Sequence, residues 1–168
     1  MRRDTGDLDE SFVAFVRSRG DHHLRMTVLL TGDRQAAEDL VQASLVKLYR
    51  AWPRLDTSAD PDAYLRRIIV NTRYSWWRAR WRREAPVSEV PDGVSGEDLA
   101  ERHAVGAQVR EALARLPRQQ RAVLVLRYCE DLPEAEVAEL LGCSAGSVKT
   151  HAHRGLRALH ELLREPVS

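Results

Sequence analysis

Apolar residues recur along this chain at intervals of three and four, and no segment shows the period-two alternation of a half-buried strand, so the pattern predicts an all-α protein. Phe12, Phe15 and Val16 mark a first helix over Asp9–Ser18. Gly20 is expected to interrupt it before a second helix over Asp21–Leu30. Asp33 is placed to cap a long amphipathic helix over Arg34–Trp52, whose apolar face is Ala37, Leu40, Val41, Leu45, Leu48, Tyr49 and Trp52. Pro53 ends it, and Arg54–Pro61 reads as a polar loop. Asp60 and Pro61 then open a helix over 62–83, with Leu65, Ile68, Ile69, Thr72 and Trp76 facing a core.

The pattern breaks at Ala85–Gly96, which has two prolines, two glycines and no periodicity, and so reads as a linker. Helical spacing resumes from about Glu97 and continues through Val109, Leu113 and Leu116. A helix over Arg118–Tyr128 and one over Pro133–Leu141 follow. The short turn Gly142-Cys143-Ser144 then leads into a helix that Ser144 can cap and that runs to about Leu163. Two helices joined by a short glycine-containing turn form a helix-turn-helix. The domains expected are 8–83 and 107–165, joined by a flexible linker over 84–106.

Charge sharpens this division. The 168 residues carry a net charge of only +1, but the charge is sorted along the chain. From Arg66 to Arg83 there are seven arginines and no acid, interleaved with Tyr74, Trp76, Trp77 and Trp81, a composition suited to phosphate contact and base stacking. A solvated basic face is the plain alternative. The next stretch, 84–106, has six acids and one base. In the helix-turn-helix, 128–143 has five acids and no base, whereas 144–160 has Lys149, Arg154 and Arg157 with no acid. The second helix is therefore the one suited to a DNA groove.

Other chemistries find little support. Cys129 and Cys143 form no CxxC pair and read as buried thiols. His22-His23 and His151-Ala-His153 lack a partner ligand at helical spacing, so no metal and no cofactor is expected. Glu38-Asp39 diverge on a helix and make a poor acid–base pair. No phosphate loop, nucleophile elbow or zinc-protease motif occurs, so an enzyme is not expected. With no span-length apolar run and no signal-peptide core, a cytoplasmic protein without membrane insertion is expected.

Three stretches together resemble a family. AAEDLVQASLVKLYRAW (36–52) resembles the core-binding helix of bacterial sigma factors, and DAYLRRIIVNTRYSWWRARWRR (62–83) resembles the segment that recognises and melts the promoter −10 element. Residues 116–159 resemble the domain that reads the −35 element. With only these parts, the chain is similar to the extracytoplasmic-function (ECF) group, in its actinobacterial SigE-like branch. The resemblance implies a four-helix-type region 2 domain and a region 4 helix-turn-helix domain. The partners it implies are core RNA polymerase and promoter DNA, with an anti-sigma factor as a further candidate.

It also places roles on residues. Glu38, Asp39 and Gln42 would dock on polymerase. Ala43-Ser44 stands where the family often has Glu-Thr or Glu-Ala, so one acidic contact is missing. Arg66, Arg67, Asn71, Arg73, Trp77, Arg78 and Arg80 would serve the −10 element, and the Arg54–Pro61 loop would capture a flipped base. Ser147, Lys149, Thr150, His153 and Arg154 would serve the −35 element, with Gly146 allowing close backbone approach. A helix-turn-helix regulator acting without polymerase is the competing reading. It would leave the helices over 34–83 without a role.

Overall fold

The computed structural model describes residues 4–83 and 104–165, with side chains described over 4–75 and 106–165. All regular structure among these residues is helical: α1 (Thr5–Thr31), α2 (Arg34–Ala51), α3 (Pro61–Arg83), α4 (Ala104–Ala114), α5 (Arg118–Leu124), α6 (Glu134–Leu141) and α7 (Ala145–Arg164). A 3-10 turn over Trp52–Arg54 closes α2, and a π-helical turn over Val125–Cys129 extends α5. Most of the expected linker, 84–103, lies outside the described residues, and α4 begins at Ala104.

The helix starts follow from local chemistry. Asp33 accepts the amide of Gln35 at 3.1 Å, Asp60 accepts that of Asp62 at 3.0 Å, and Ser144 accepts that of Ser147 at 3.0 Å. Each satisfies a backbone donor that has no partner within its own helix. Gly32 and Gly142 end α1 and α6 in the left-handed conformation, at φ 74° and 66°.

Three sequence expectations are corrected. Gly20 does not interrupt the first helix, because α1 runs unbroken from Thr5 to Thr31. A glycine inside a helix costs about 1 kcal/mol, and α1 offsets this by packing on α2, α4 and α5. Tyr49 is exposed rather than part of the core, because its hydroxyl reaches out to Asp9 at 2.8 Å while Phe12 takes the inner position against Trp52. Cys129 is exposed and Cys143 only half-buried, so neither is a fully buried thiol. Cys129 lies just after the apolar stretch 122–126, on the rim of the π turn.

In the first half, α2 lies between α1 and α3. Its buried face is Ala37, Leu40, Val41, Ser44 and Leu48, set against Met26 and Leu30 of α1 and Leu65, Ile69 and Val70 of α3. Ser44 can occupy this core because its hydroxyl donates to the Leu40 carbonyl at 2.7 Å. In the second half, α7 crosses α5 at Gly155, where an added Cβ would stand 3.1 Å from Leu124. Val148 and Val137 hold α7 against α6. The halves also meet: α1 packs on α4, α5 and the π turn, and α3 packs on α6. Leu30, Leu65 and Val70 therefore share one apolar cluster with Val123, Leu126 and Val137.

Candidate nucleic-acid and partner interface

The buried face of α2 determines what its outer face presents. Asp39 and Gln42 are exposed, and Val46 and Tyr49 continue the same stripe at helical spacing. Glu38 stands beside it, held by Arg34 at 3.0 Å, and Gln35 donates to Asp39 at 3.1 Å. The stripe is acidic and polar at one end and apolar at the other, with no described neighbour covering Val46. Sequence reasoning had named the acidic end. Val46 and Tyr49 complete the surface.

On α3, burial of Leu65, Ile69, Val70 and Thr72 leaves Arg67, Asn71 and Ser75 outward. Thr72 is satisfied by Lys47, which donates to its hydroxyl at 3.0 Å. Asn71 is exposed on the side that carries the arginines. Arg73 lines a small cleft with Leu30, Val70, Tyr74, Arg118 and Ala122, at the seam between the halves. Burial in that seam pushes the Tyr74 phenol up to about 12. The side chains of Trp77, Arg78 and Arg80, which complete the expected −10 set, lie outside the described residues.

Arg66 and Arg67 have acidic partners from the second half. Arg66 approaches Glu130 at 3.3 Å, and Arg67 approaches Glu139 at 2.9 Å. His22 of α1 meets the same Glu130 at 2.9 Å. Beneath them, Asp62 joins Arg19 at 2.8 Å and the buried His23 at 2.7 Å. Burial pushes the Asp62 carboxyl up, but the bonds from Arg19 and His23 outweigh this and hold it below the usual carboxylate range. His23 is lowered as well, because burial outweighs the pull of its acidic neighbour. Sequence reasoning missed this network, because its members meet only through packing.

The loop before α3 is ordered by its own polar side chains. Asp56 accepts the hydroxyl of Thr57 at 3.2 Å, and its carbonyl accepts the amide of Ala59 at 2.9 Å. Hydrogen bonds from Ser58 and Thr57 hold the Asp56 carboxyl below its usual range. This gives the 54–61 loop a defined shape beside the start of α3.

On α7, Lys149, Thr150, His153 and Arg154 are all exposed, and Ser147 is half-buried. They fall on adjoining rows of one helix face, with Arg157 one turn further on. Lys149 has Glu134 at 3.8 Å and Arg157 has Glu161 at 3.9 Å, while Thr150 bonds back to the Gly146 carbonyl at 3.0 Å. Gly146 is exposed, and a Cβ there would meet only Ser144 Oγ at 3.8 Å. Folding therefore does not require glycine at this position. Among the described residues, no three histidine, cysteine or acidic side chains converge as metal ligands, and no helix is long and apolar enough to cross a membrane.

Comparison with known proteins finds a family match in each half. The family model described as Sigma-70 region 2 matches residues 15–83, and that described as Sigma-70, region 4 matches residues 106–159. An RNA polymerase sigma-E factor of Streptomyces avermitilis is 43% identical over 152 residues, covering 90% of this chain and 84% of its own. Its counterpart in Streptomyces coelicolor is 41% identical over the same length. Among solved structures, a sigma factor from Bartonella quintana in complex with an anti-sigma factor matches with a TM-score of 0.68. It is 23% identical and covers 94% of this chain and 99% of its own, a likeness of fold.

Proposed function

The chain belongs to the sigma-70 family, as an alternative sigma factor of the ECF group and its SigE-like branch, and from that membership we propose how its parts divide the work of initiation. Sigma factors are transcription initiation factors rather than enzymes. Here 8–83 engages core RNA polymerase and the −10 element, 107–165 reads the −35 element, and 84–106 links them. The protein acts in the cytoplasm, where polymerase and promoter DNA are its partners. An anti-sigma factor is a further partner, suggested by the solved complex of the Bartonella relative.

One observation carries this assignment: two outward faces of opposite character stand on a shared core. The α2 stripe of Glu38, Asp39 and Gln42, with Val46 and Tyr49, suits a protein surface. The α7 face of Lys149, Thr150, His153 and Arg154 suits a major groove, with Ser147 at its start. Between them, Asn71 and the arginines of α3 suit an unpaired strand, with the 54–61 loop placed to receive a base that leaves the stack. Opening the duplex costs a few kcal/mol per unstacked base, and stacking on the α3 tryptophans together with phosphate contacts would offset it.

Run-off transcription with purified core polymerase on a promoter library tests the proposal. The chain should co-purify with core enzyme and select a subset of promoters sharing −10 and −35 sequences. Specific duplex binding without any polymerase complex would instead support the helix-turn-helix regulator, which the match over both halves does not favour.

A further inference from the structure

Tyr64, Asn71 and Ser75 are all exposed and recur at intervals of seven and four, so they form one outward row along α3. On one flank of this row Arg66 and Arg67 meet Glu130 and Glu139, at 3.3 and 2.9 Å. On the other flank Thr72 faces α2, and Lys47 reaches across to it, donating to its hydroxyl at 3.0 Å. Resting on the proposed role of α3, we infer that Lys47 is a phosphate-binding residue for the separated −10 strand, supplied by α2 to the edge of the α3 row.

The two flanks differ in charge. Arg66 and Arg67 are matched by carboxylates, whereas the Lys47 ammonium pairs with none among the described residues. Its partner is neutral, so the Thr72 hydroxyl positions the ammonium without cancelling its charge. An ammonium has three donors and Thr72 accepts one of them, which leaves the others for an anion. Thr72 is itself buried and held in the α2–α3 contact, so the anchor is fixed. The ammonium is thereby held one residue along the chain from Asn71.

Lys47 also stands at a boundary on α2. Val46, just before it, belongs to the exposed stripe proposed for polymerase, while Lys47 is exposed and leans onto α3. Successive helix positions point about 100° apart, so neighbouring residues of α2 serve two partners. Lysine suits the second one, being a compact point charge on a flexible stem that can follow a single phosphate. Such a contact fixes the path of the strand and carries no base preference.

The test uses the full chain bound to core polymerase, on promoters recovered from the run-off library, with Lys47→Gln and Lys47→Arg. Glutamine removes the charge and keeps a donor for Thr72; arginine keeps both. Open-complex stability is followed against salt concentration, alongside the melting temperature of the free chain and its affinity for core polymerase. Lys47→Gln should weaken the open complex about tenfold, equally on promoters with different −10 sequences. Its log–log salt slope should fall by about 1. Lys47→Arg should regain both, with melting temperature and polymerase affinity unchanged throughout. An unchanged slope in Lys47→Gln would overturn the inference. A loss that follows a lower melting temperature or weaker polymerase binding would overturn it too, since Lys47 would then serve the fold or the docking surface. A loss confined to one −10 sequence would overturn it by making Lys47 a base reader. A wild-type holoenzyme that opens no promoter rejects the role of α3 itself, and the inference with it.

Discussion

The His23 imidazole lies fully buried with Nε2 2.7 Å from Asp62 Oδ1, joining α1 to the first turn of α3. Among the described residues, Nδ1 has no hydrogen-bond partner. The neutral tautomer with its proton on Nε2 fits this setting, donating to Asp62 and leaving only a lone pair without a partner.

Acid should therefore weaken the fold. Burial lowers the His23 pKa in the folded state, so below its unfolded value of about 6.5 the unfolded chain binds the proton more tightly. Asp62 is also held low, so its contribution is present above its unfolded value and is lost as pH falls through its folded one. Both effects have one sign. Thermal melts should show stability falling from neutral pH towards pH 5, and His23→Gln should flatten that slope. An unchanged slope in the variant would remove His23 from the explanation.

Asn71→Ala should impair formation of the open complex more than polymerase binding. Asn71 is exposed on α3. Permanganate footprinting and a polymerase pull-down, run side by side, check this. Equal losses in the two assays would mean that Asn71 serves polymerase docking instead.

Arg154→Ala should weaken binding to a −35 duplex by about 1–3 kcal/mol and relax sequence preference at one position. Arg154 is exposed on the α7 face beside His153. Binding to matched and scrambled duplexes measures both effects, and a loss equal for the two would assign Arg154 to a phosphate.

Gly146→Ala should have opposite effects on folding and on binding. The site is open, so alanine should favour α7 by up to about 1 kcal/mol. The added methyl would meet the DNA backbone that glycine lets approach. Melting temperature should rise while −35 affinity falls; if affinity is retained, close approach at Gly146 is excluded.

Gly155→Val should destabilise the second half by about 1–3 kcal/mol, the usual cost of overpacking. Leu124 lies 3.1 Å from the nearest added carbon and is itself buried. In a Leu124→Ala background the same change should cost less, and a double-mutant cycle in denaturant reads the coupling. Additive costs would place the crossing contact elsewhere.

Local features were legible because their causes are local. Asp33, Asp60 and Ser144 cap helices through bonds spanning two or three residues, which a reader of the sequence can see. Much of the buried faces of α2 and α3 followed from periodicity, but Ser44 and Val70 are buried without having been expected, Ile68 is only half-buried, and the Trp76 side chain lies outside the described residues. Tyr49 carries both a ring and a hydroxyl, and the exposed Asp9 decided between them. Gly20 signalled a break by propensity, and the packing of α1 overrode it.

By itself the sequence determined the all-α class and the starts of α2, α3 and α7, because these depend on spacing and on bonds between near neighbours. Only the tertiary structure decided that Glu130 meets His22 and Arg66, 108 and 64 residues away, and that Arg121 caps α1 from 91 residues off. Nothing in local spacing encodes such pairings. They arise when two apolar surfaces close on each other and leave each enclosed charge only the partner that packing has brought within reach.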